Sequence, residues 1–275
     1  MTIIAGGVWC DGAFGRRMAI GSPAGVSTAL NQWARLVPDP LGRPYNVLRC
    51  YISNGAYVAS PSNDTKRAEV SAASDVAVWG QAQTMQWRIV VPPDLPTWDV
   101  AQSYTIAQMH DVDAALVARR PTLHCEVRGN TLYWEISYDA VSAGRILYSY
   151  TFSRGEQLEF TLRARWADGS HDTAGNAYLM LWHGDALVYS EAGQINTWAD
   201  VGSSEPNPPF LKAGIYQPDT GASWWVGREF WAYHVASIVA TADETPQSLR
   251  TYVDSRLAAN SNLPRPPYVP LGAGQ

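Results

Sequence analysis

At 275 residues, 46% hydrophobic and 16% charged, the chain can bury a sizeable core, which excludes an intrinsically disordered protein. A formal net charge of -5 gives the whole chain no basis for nucleic-acid binding, and no run approaches the roughly 18 apolar residues of a membrane-spanning helix. Cys10, Cys50 and Cys125 stand far apart without a Cys-x-x-Cys pair; this excludes a zinc ribbon or thiol redox motif, allows at most one disulfide, and makes three buried thiols the expectation.

In chain order, the N-terminus MTIIAGGVWCDGAFGRR lacks the basic start and apolar run of a signal peptide. The chain is therefore read as a mature form, or as one that reaches the cell exterior by another route such as a virion. Short β-rich runs follow: VLRCYI (47–52), MQWRIVV (85–91), TLHCEV (122–127), TLYWEIS (131–137) and ILYSYTF (146–152). They continue with LEFTLRARW (158–166), AYLMLWH (177–183), FLKAGIY (210–216) and EFWAYHVASIV (229–239). Turn signals separate them at Asn54-Gly55, Pro92-Pro93-Asp94, Gly129-Asn130, Asp168-Gly169, Gly184-Asp185 and Pro218-Asp219. Many short strands at this spacing predict an all-β antiparallel sandwich or barrel, with Gly129-Asn130 as a two-residue hairpin. DVDAALVARR (111–120) has a helical period that could extend back over Gln108 and His110. At the C-terminus, Thr245-Pro246 followed by Leu249, Tyr252, Val253 and Leu257 predicts a capped helix over 246–259, and PRPPYVP beyond it an extended tail. The expected division is a sandwich domain over 1–242 and a helix with Pro-rich tail over 243–275.

The chemistry-bearing motifs are defined partly by what is missing. There is no phosphate-binding GxxxxGK[ST], no GxGxxG after a strand, no GxSxG elbow and no HExxH. Glu135 and Asp139 in WEISYD approach the acid-rich strand of a glycoside hydrolase only loosely. Three other segments place polar groups at even spacing, so that in a strand each set shares one face. They are Arg67 and Glu69 in KRAEV, Gln108 and His110 in IAQMH, and Lys212, Gly214 and Tyr216 in LKAGIY. Their apolar neighbours keep the opposite parity.

Arg67-Ala68-Glu69, Gln108-Met109-His110 and Leu211-Lys212-Ala213-Gly214-Ile215-Tyr216-Gln217 resemble, in the same chain order, three signature segments of the β-jelly-roll polysaccharide lyases. In alginate lyases of that group these read R-[ST]-E-L, Q-[IV]-H and Y-F-K-A-G-x-Y-x-Q. The setting is also similar to the heparin-lyase-like and glucuronan-lyase groups, and the likeness spans about Val47 to Val239. Ala68, Val70, the Phe210-Leu211 pair and Gln217-Pro218 depart from the alginate-lyase pattern. The resemblance implies a concanavalin-like jelly roll of two antiparallel sheets with a short C-terminal helix. It further implies cleavage of a uronic-acid polysaccharide, of alginate or glucuronan type, by β-elimination to unsaturated oligosaccharides outside the cell or in a periplasm.

The residue types suit that chemistry. Removing the proton beside a carboxylate builds an enolate dianion, and neutralising it is the main electrostatic task. Arg67 can grip the carboxylate with a planar fork and the Gln108 amide can donate a further bond. Proton transfer falls to His110 and Tyr216, with Tyr216 as acid, and as base too in a syn elimination; His110 neutralises the carboxylate or serves as base in an anti elimination. A free tyrosine is ionised in only about one molecule per thousand at neutral pH, and nearby cations such as Lys212 or Arg67 favour the phenolate. Glu69 is expected to orient Arg67, and Arg49 to contact another sugar carboxylate. An anionic polysaccharide is the expected partner, without metal, cofactor, nucleic acid or membrane. Twelve Trp and fourteen Tyr also fit a sugar-binding module of the same architecture that performs no chemistry.

Overall fold

Because successive strand side chains point to opposite faces, the apolar parity of each run decides which face is buried. The computed structural model describes residues 2–9, 18–21, 32–52, 66–72, 76–95, 103–110, 121–137, 144–197, 208–217 and 230–261. Within them lie β1 (Ile3–Val8), β2 (Met18–Gly21), β3 (Gln32–Pro38), β4 (Asn46–Ile52) and β5 (Lys66–Ala72). β6 (Gln83–Val90), β7 (Ser103–His110), β8 (Leu123–Arg128), β9 (Thr131–Ile136) and β10 (Arg145–Thr151) follow. The remainder are β11 (Gln157–Arg165), β12 (Tyr178–His183), β13 (Ala186–Ala192), β14 (Phe210–Gln217), β15 (Phe230–Thr241) and the helix α1 (Pro246–Asn260).

The strands form two antiparallel sheets, as expected of the sandwich. One runs β10-β9-β8-β7-β14-β5-β2; the other runs β13-β12-β11-β6-β15-β4-β3, with β1 also paired to β15. The core lies between them. Ala68 and Val70, Ala107 and Met109, Leu123 and Cys125, and Leu211, Ala213 and Ile215 face Leu48, Met85, Trp87, Phe160 and Leu162 of the other sheet. Trp134 bridges the layers, its ring 5.2 Å from Trp87 and 5.3 Å from Phe160. Burying such a side chain stabilises by about 1.5–3 kcal/mol. Trp87 Nε1 also donates to the Lys212 carbonyl at 3.2 Å, so an indole from the opposite sheet satisfies a backbone group of β14.

Gly129, at φ 59°, turns β8 into β9, with Arg128 opposite Thr131, which is the expected two-residue hairpin. Gly184, also at φ 59°, does the same between β12 and β13. Residues 106–110 belong to strand β7; the possible helix at 111–120 lies outside the described residues. Cys50 and Cys125 are buried free thiols, pushed well above their ordinary pKa by burial; Cys10 is outside the described residues.

The helix begins where its cap predicts. The Thr245 side chain accepts from Ser248 N, the Ser248 hydroxyl returns the bond, and Pro246 takes the first turn. Leu249, Val253 and Leu257 pack onto Val8, Val47, Val90 and Ile238, on the outer face of the eight-stranded sheet. An ion network fastens the same contact: Arg88 reaches Glu159 at 2.7 Å and Asp254 at 2.5 Å, and Arg250 reaches Glu159 at 2.9 Å and Asp185 at 2.8 Å. The helix therefore covers the outer face of one sheet and leaves the seven-stranded sheet's outer face to polar residues. No helix among the described residues is long and apolar enough to cross a membrane.

Candidate active site

β14 lies between β5 and β7, so the three polar segments that are distant in sequence become adjacent strands. Lys212 stands opposite Gln108 on one side and Ser71 on the other; Gly214 is opposite Glu69; Tyr216 is opposite Arg67; Phe210 is opposite His110. Directly paired residues share a face. Arg67, Glu69, Gln108, His110, Lys212 and Tyr216 therefore lie on the outer face of the seven-stranded sheet, behind which the apolar partners of each segment fill the core. For Arg67 this is fixed by its backbone register.

Gln108 and Glu69 are almost fully buried, and Lys212 nearly so, whereas His110 and Tyr216 are half-buried and open to a ligand. Gln108 Nε2 donates to Glu69 Oε1 at 2.5 Å. One carboxylate bond consumes one amide hydrogen and leaves a second on Nε2, while Gln108 Oε1 is buried without a hydrogen-bond partner among the described residues. Lys212 Nζ lies 5.5 Å from the centre of the Phe210 ring. The expected partner of Glu69, Arg67, has its side chain outside the described residues; Gln108 is a further partner that the sequence did not suggest.

Two bulges set the phase of this face. In β7, Thr105 opposes Glu126 and Ala107 opposes Cys125, so Ile106 is an extra residue that turns into the core and brings Thr105 onto the polar face. In β14 the register against β7 shifts between Ala213 and Tyr216, which places Tyr216 opposite Thr105. Gly214 has φ 147°, and a Cβ there would fall 2.2 Å from the Ala68 carbonyl oxygen and 2.6 Å from Glu69 Cα. Only glycine fits where β14 approaches β5 this closely. Behind β14, in the core, burial pushes the His234 imidazole down to about 4, opposed by the backbone of Gly214.

The polar face continues onto β8 and β9, where sequence reasoning had placed no site. His124 pairs with Gln108 and Glu135; Glu126 pairs with Thr105 and Tyr133. Arg128 bonds Glu126 and reaches Glu135 Oε2 at 3.2 Å, and His124 Nε2 lies 4.0 Å from Glu135 Oε1. The signal was present in LHCEVR, whose polar residues share one parity, as in the three segments already recognised. His124, Glu126 and Glu135 are also close enough to share a cation, but the Arg128 guanidinium already holds both carboxylates.

Arg49 is not part of this assembly. It lies on β4 of the other sheet, on the same face as Val47, which packs against the helix side, and opposite in parity to Leu48 and Cys50 of the core. Its guanidinium sits 5.4 Å from the Tyr51 ring, 5.6 Å from Trp231 and 5.4 Å from Tyr233, a buried cation in an aromatic box.

A family model described as polysaccharide lyase matches residues 45–236 of the chain. Among solved structures, the fold is similar to the endo-β-1,4-glucuronan lyase of the fungus Trichoderma reesei, with TM-score 0.55 and 17% identity over 83% of this chain and 98% of that one. It is similar to alginate lyase A1-II′, a member of polysaccharide lyase family 7, with TM-score 0.51 and 14% identity over 80% of this chain and 86% of that one. The binding domain of botulinum neurotoxin DC shares the architecture, with TM-score 0.51 and 8% identity over 92% of this chain and 51% of that one. No curated protein sequence matches the chain.

Proposed function

This chain belongs to the polysaccharide lyase family, and from that premise we propose that it cleaves a uronic-acid-containing polysaccharide by β-elimination on the outer face of its seven-stranded sheet. One observation carries the reading: the register of β14 against β5 and β7 gathers Arg67, Gln108, His110, Lys212 and Tyr216 on one face. Alginate and glucuronan, named for the two lyases that share the fold, are the first candidate polymers.

In this reading Arg67 and the second amide hydrogen of Gln108 bind the uronate carboxylate and stabilise the enolate that forms when the adjacent proton leaves. Glu69 fixes the Gln108 amide so that this hydrogen stays aimed. Tyr216 protonates the departing glycosidic oxygen, and takes the carbon-bound proton if the two groups leave from the same side. His110 takes that proton if they leave from opposite faces, and otherwise helps to neutralise the carboxylate. Lys212, two positions along the same face of β14 with Gly214 between, favours the Tyr216 phenolate through its charge and binds substrate. A polymer substrate supports action outside the cell or in a periplasm.

A panel of alginate, glucuronan, hyaluronan and heparin, read by ultraviolet absorbance and by reducing ends, tests the reaction class. Absorbance with new ends identifies a lyase, ends alone a hydrolase, and retained binding with neither a sugar-binding module. Tyr216→Phe should fold, bind polymer and form no unsaturated product; full activity in that variant would overturn its role.

A further inference from the structure

Tyr216 has two register partners, and they differ in kind. Arg67 on β5 is its partner on one side and Thr105 on β7 on the other, each one strand spacing away, about 5 Å. Arg67 already has a part in the proposed reaction. Thr105 has none, although the sheet is distorted to put it there.

Alternation along β7 shows the distortion. Gln108 lies on the polar face, and Ala107 and Met109 lie in the core. Had the strand continued without interruption, Ile106 would stand on the polar face beside Tyr216 and Thr105 would point into the core. The bulge between Thr105 and Ala107 reverses this: Tyr104 and Ile106 are core residues, and Thr105 is on the polar face opposite Glu126. The register of β14 against β7 shifts at the same level, between Ala213 and Tyr216. Two irregularities therefore meet where an apolar side chain gives way to a hydroxyl. Bulges next to active sites re-aim side chains in this way.

The protein itself does not engage that hydroxyl. Thr105 is only 4% exposed, yet among the described residues it has no hydrogen-bond partner, and its oxygen is not one of the polar atoms sealed from solvent. The Glu126 carboxylate across the β7–β8 ladder is bonded to Arg128 instead. A hydroxyl in so confined a place is costly unless water or a ligand reaches it. It can donate one hydrogen bond and accept two, which suits a sugar hydroxyl that does both. The uronate carboxylate is the task of Arg67 and Gln108.

We propose that Thr105 is a substrate-contact residue whose hydroxyl bonds a sugar hydroxyl beside the cleaved linkage, fixing the sugar against the Tyr216 phenol that protonates the departing oxygen. Alginate and glucuronan both offer such hydroxyls. The inference deepens the lyase reading and rests on it for the position of the cut.

Binding and cleavage are measured separately. Thr105→Val keeps the β-branched shape without the hydroxyl, and Thr105→Ser keeps the hydroxyl without the methyl. In Tyr216→Phe protein, calorimetry uses tetrasaccharides of alginate and of glucuronan. Thr105→Val should weaken the tighter-binding one roughly three- to tenfold, the range of a hydrogen bond between neutral groups, and Thr105→Ser should stay within about twofold. In Tyr216-containing protein the same order should appear in kcat/KM for unsaturated product, without a fall in Tm for Thr105→Val. Thr105→Ala, which also lacks the hydroxyl, gives the same binding readout if Val destabilises the strand. Undiminished binding without the hydroxyl, or an equal loss with Ser, would overturn the contact. So would failure of both tetrasaccharides to bind. Absence of unsaturated product, with the loss of binding in Thr105→Val intact, would instead remove the lyase reading and leave the contact standing.

Discussion

Gln108 and Glu69 meet across the strand that separates them, their side chains bonded at 2.5 Å over β14. Gly214 stands opposite Glu69 and Lys212 opposite Gln108, so the bond passes over β14 between these two positions. Both groups are almost fully buried, so the bond orients the amide before any substrate arrives. Glu69→Ala should leave the buried amide short of a partner, cost about 1–3 kcal/mol of stability, and lower kcat by as much as about a hundredfold through misplacement. Glu69→Gln, which retains an acceptor, should recover much of both. Unchanged kcat in a folded Glu69→Ala protein would show that amide orientation is irrelevant to turnover.

Arg67 and Tyr216 are register partners in the β5–β14 ladder, which in the proposed reaction sets carboxylate neutralisation beside proton transfer. Arg67→Ala should therefore raise KM and lower kcat together, because the charge it offsets grows toward the transition state. Arg67→Lys keeps the charge but not the fork, and should recover KM more than kcat. Steady-state kinetics read by unsaturated product decide it: a loss confined to KM would make Arg67 a binding residue alone.

Gly214 and Gly175 make a controlled pair. An alanine Cβ at 214 would strike the β5 backbone at 2.2 Å, with φ at 147°, whereas at 175 nothing lies within 4 Å. Gly214→Ala should lower Tm by several degrees, since overpacking costs about 1–3 kcal/mol, and should reduce activity by displacing Tyr216. Gly175→Ala should change neither by a measurable amount. Wild-type melting and turnover in Gly214→Ala would mean that β14 tolerates a side chain there.

Why part of this was readable from residue order and part was not follows from range. In LKAGIY, period-two alternation is a local property, and Leu211, Ala213 and Ile215 are buried in the core as it requires. The bulge at Ile106 inserts one residue against β8, and nothing in SYTIAQMH marks it, so Thr105 escaped notice on the polar face. Arg49 alternates correctly within VLRCYI, but alternation cannot say to which sheet a strand belongs, and β4 joins the other one. The Arg128 patch needs Glu135 from the next strand, a residue that sequence reasoning weighed only as a hydrolase acid.

Glu159 and Asp185 test how the helix is held. Arg88 is 2% exposed and depends on Glu159 and Asp254, whereas Asp185 is 68% exposed. Glu159→Ala removes one of the two carboxylates that hold the buried Arg88 guanidinium and should destabilise by about 3–5 kcal/mol. Asp185→Ala removes a surface partner and should cost at most about 1 kcal/mol. Denaturant unfolding compares them; equal losses would show that burial of the network is not what gives it strength.

His234 should make the fold acid-sensitive. Burial between the sheets pushes its imidazole down to about 4, against about 6.5 when unfolded, with the Gly214 backbone opposing the shift. The folded protein thus binds this proton more weakly than the unfolded chain does. Its stabilising contribution is complete above pH 6.5, declines as pH falls, and is lost at about pH 4; the full difference is worth about 3 kcal/mol. His234→Gln removes the titration. Its Tm should fall less than that of the wild type between pH 7 and pH 4, even if it melts lower at pH 7. Parallel melting curves across that range would mean that protonation of His234 is not coupled to unfolding.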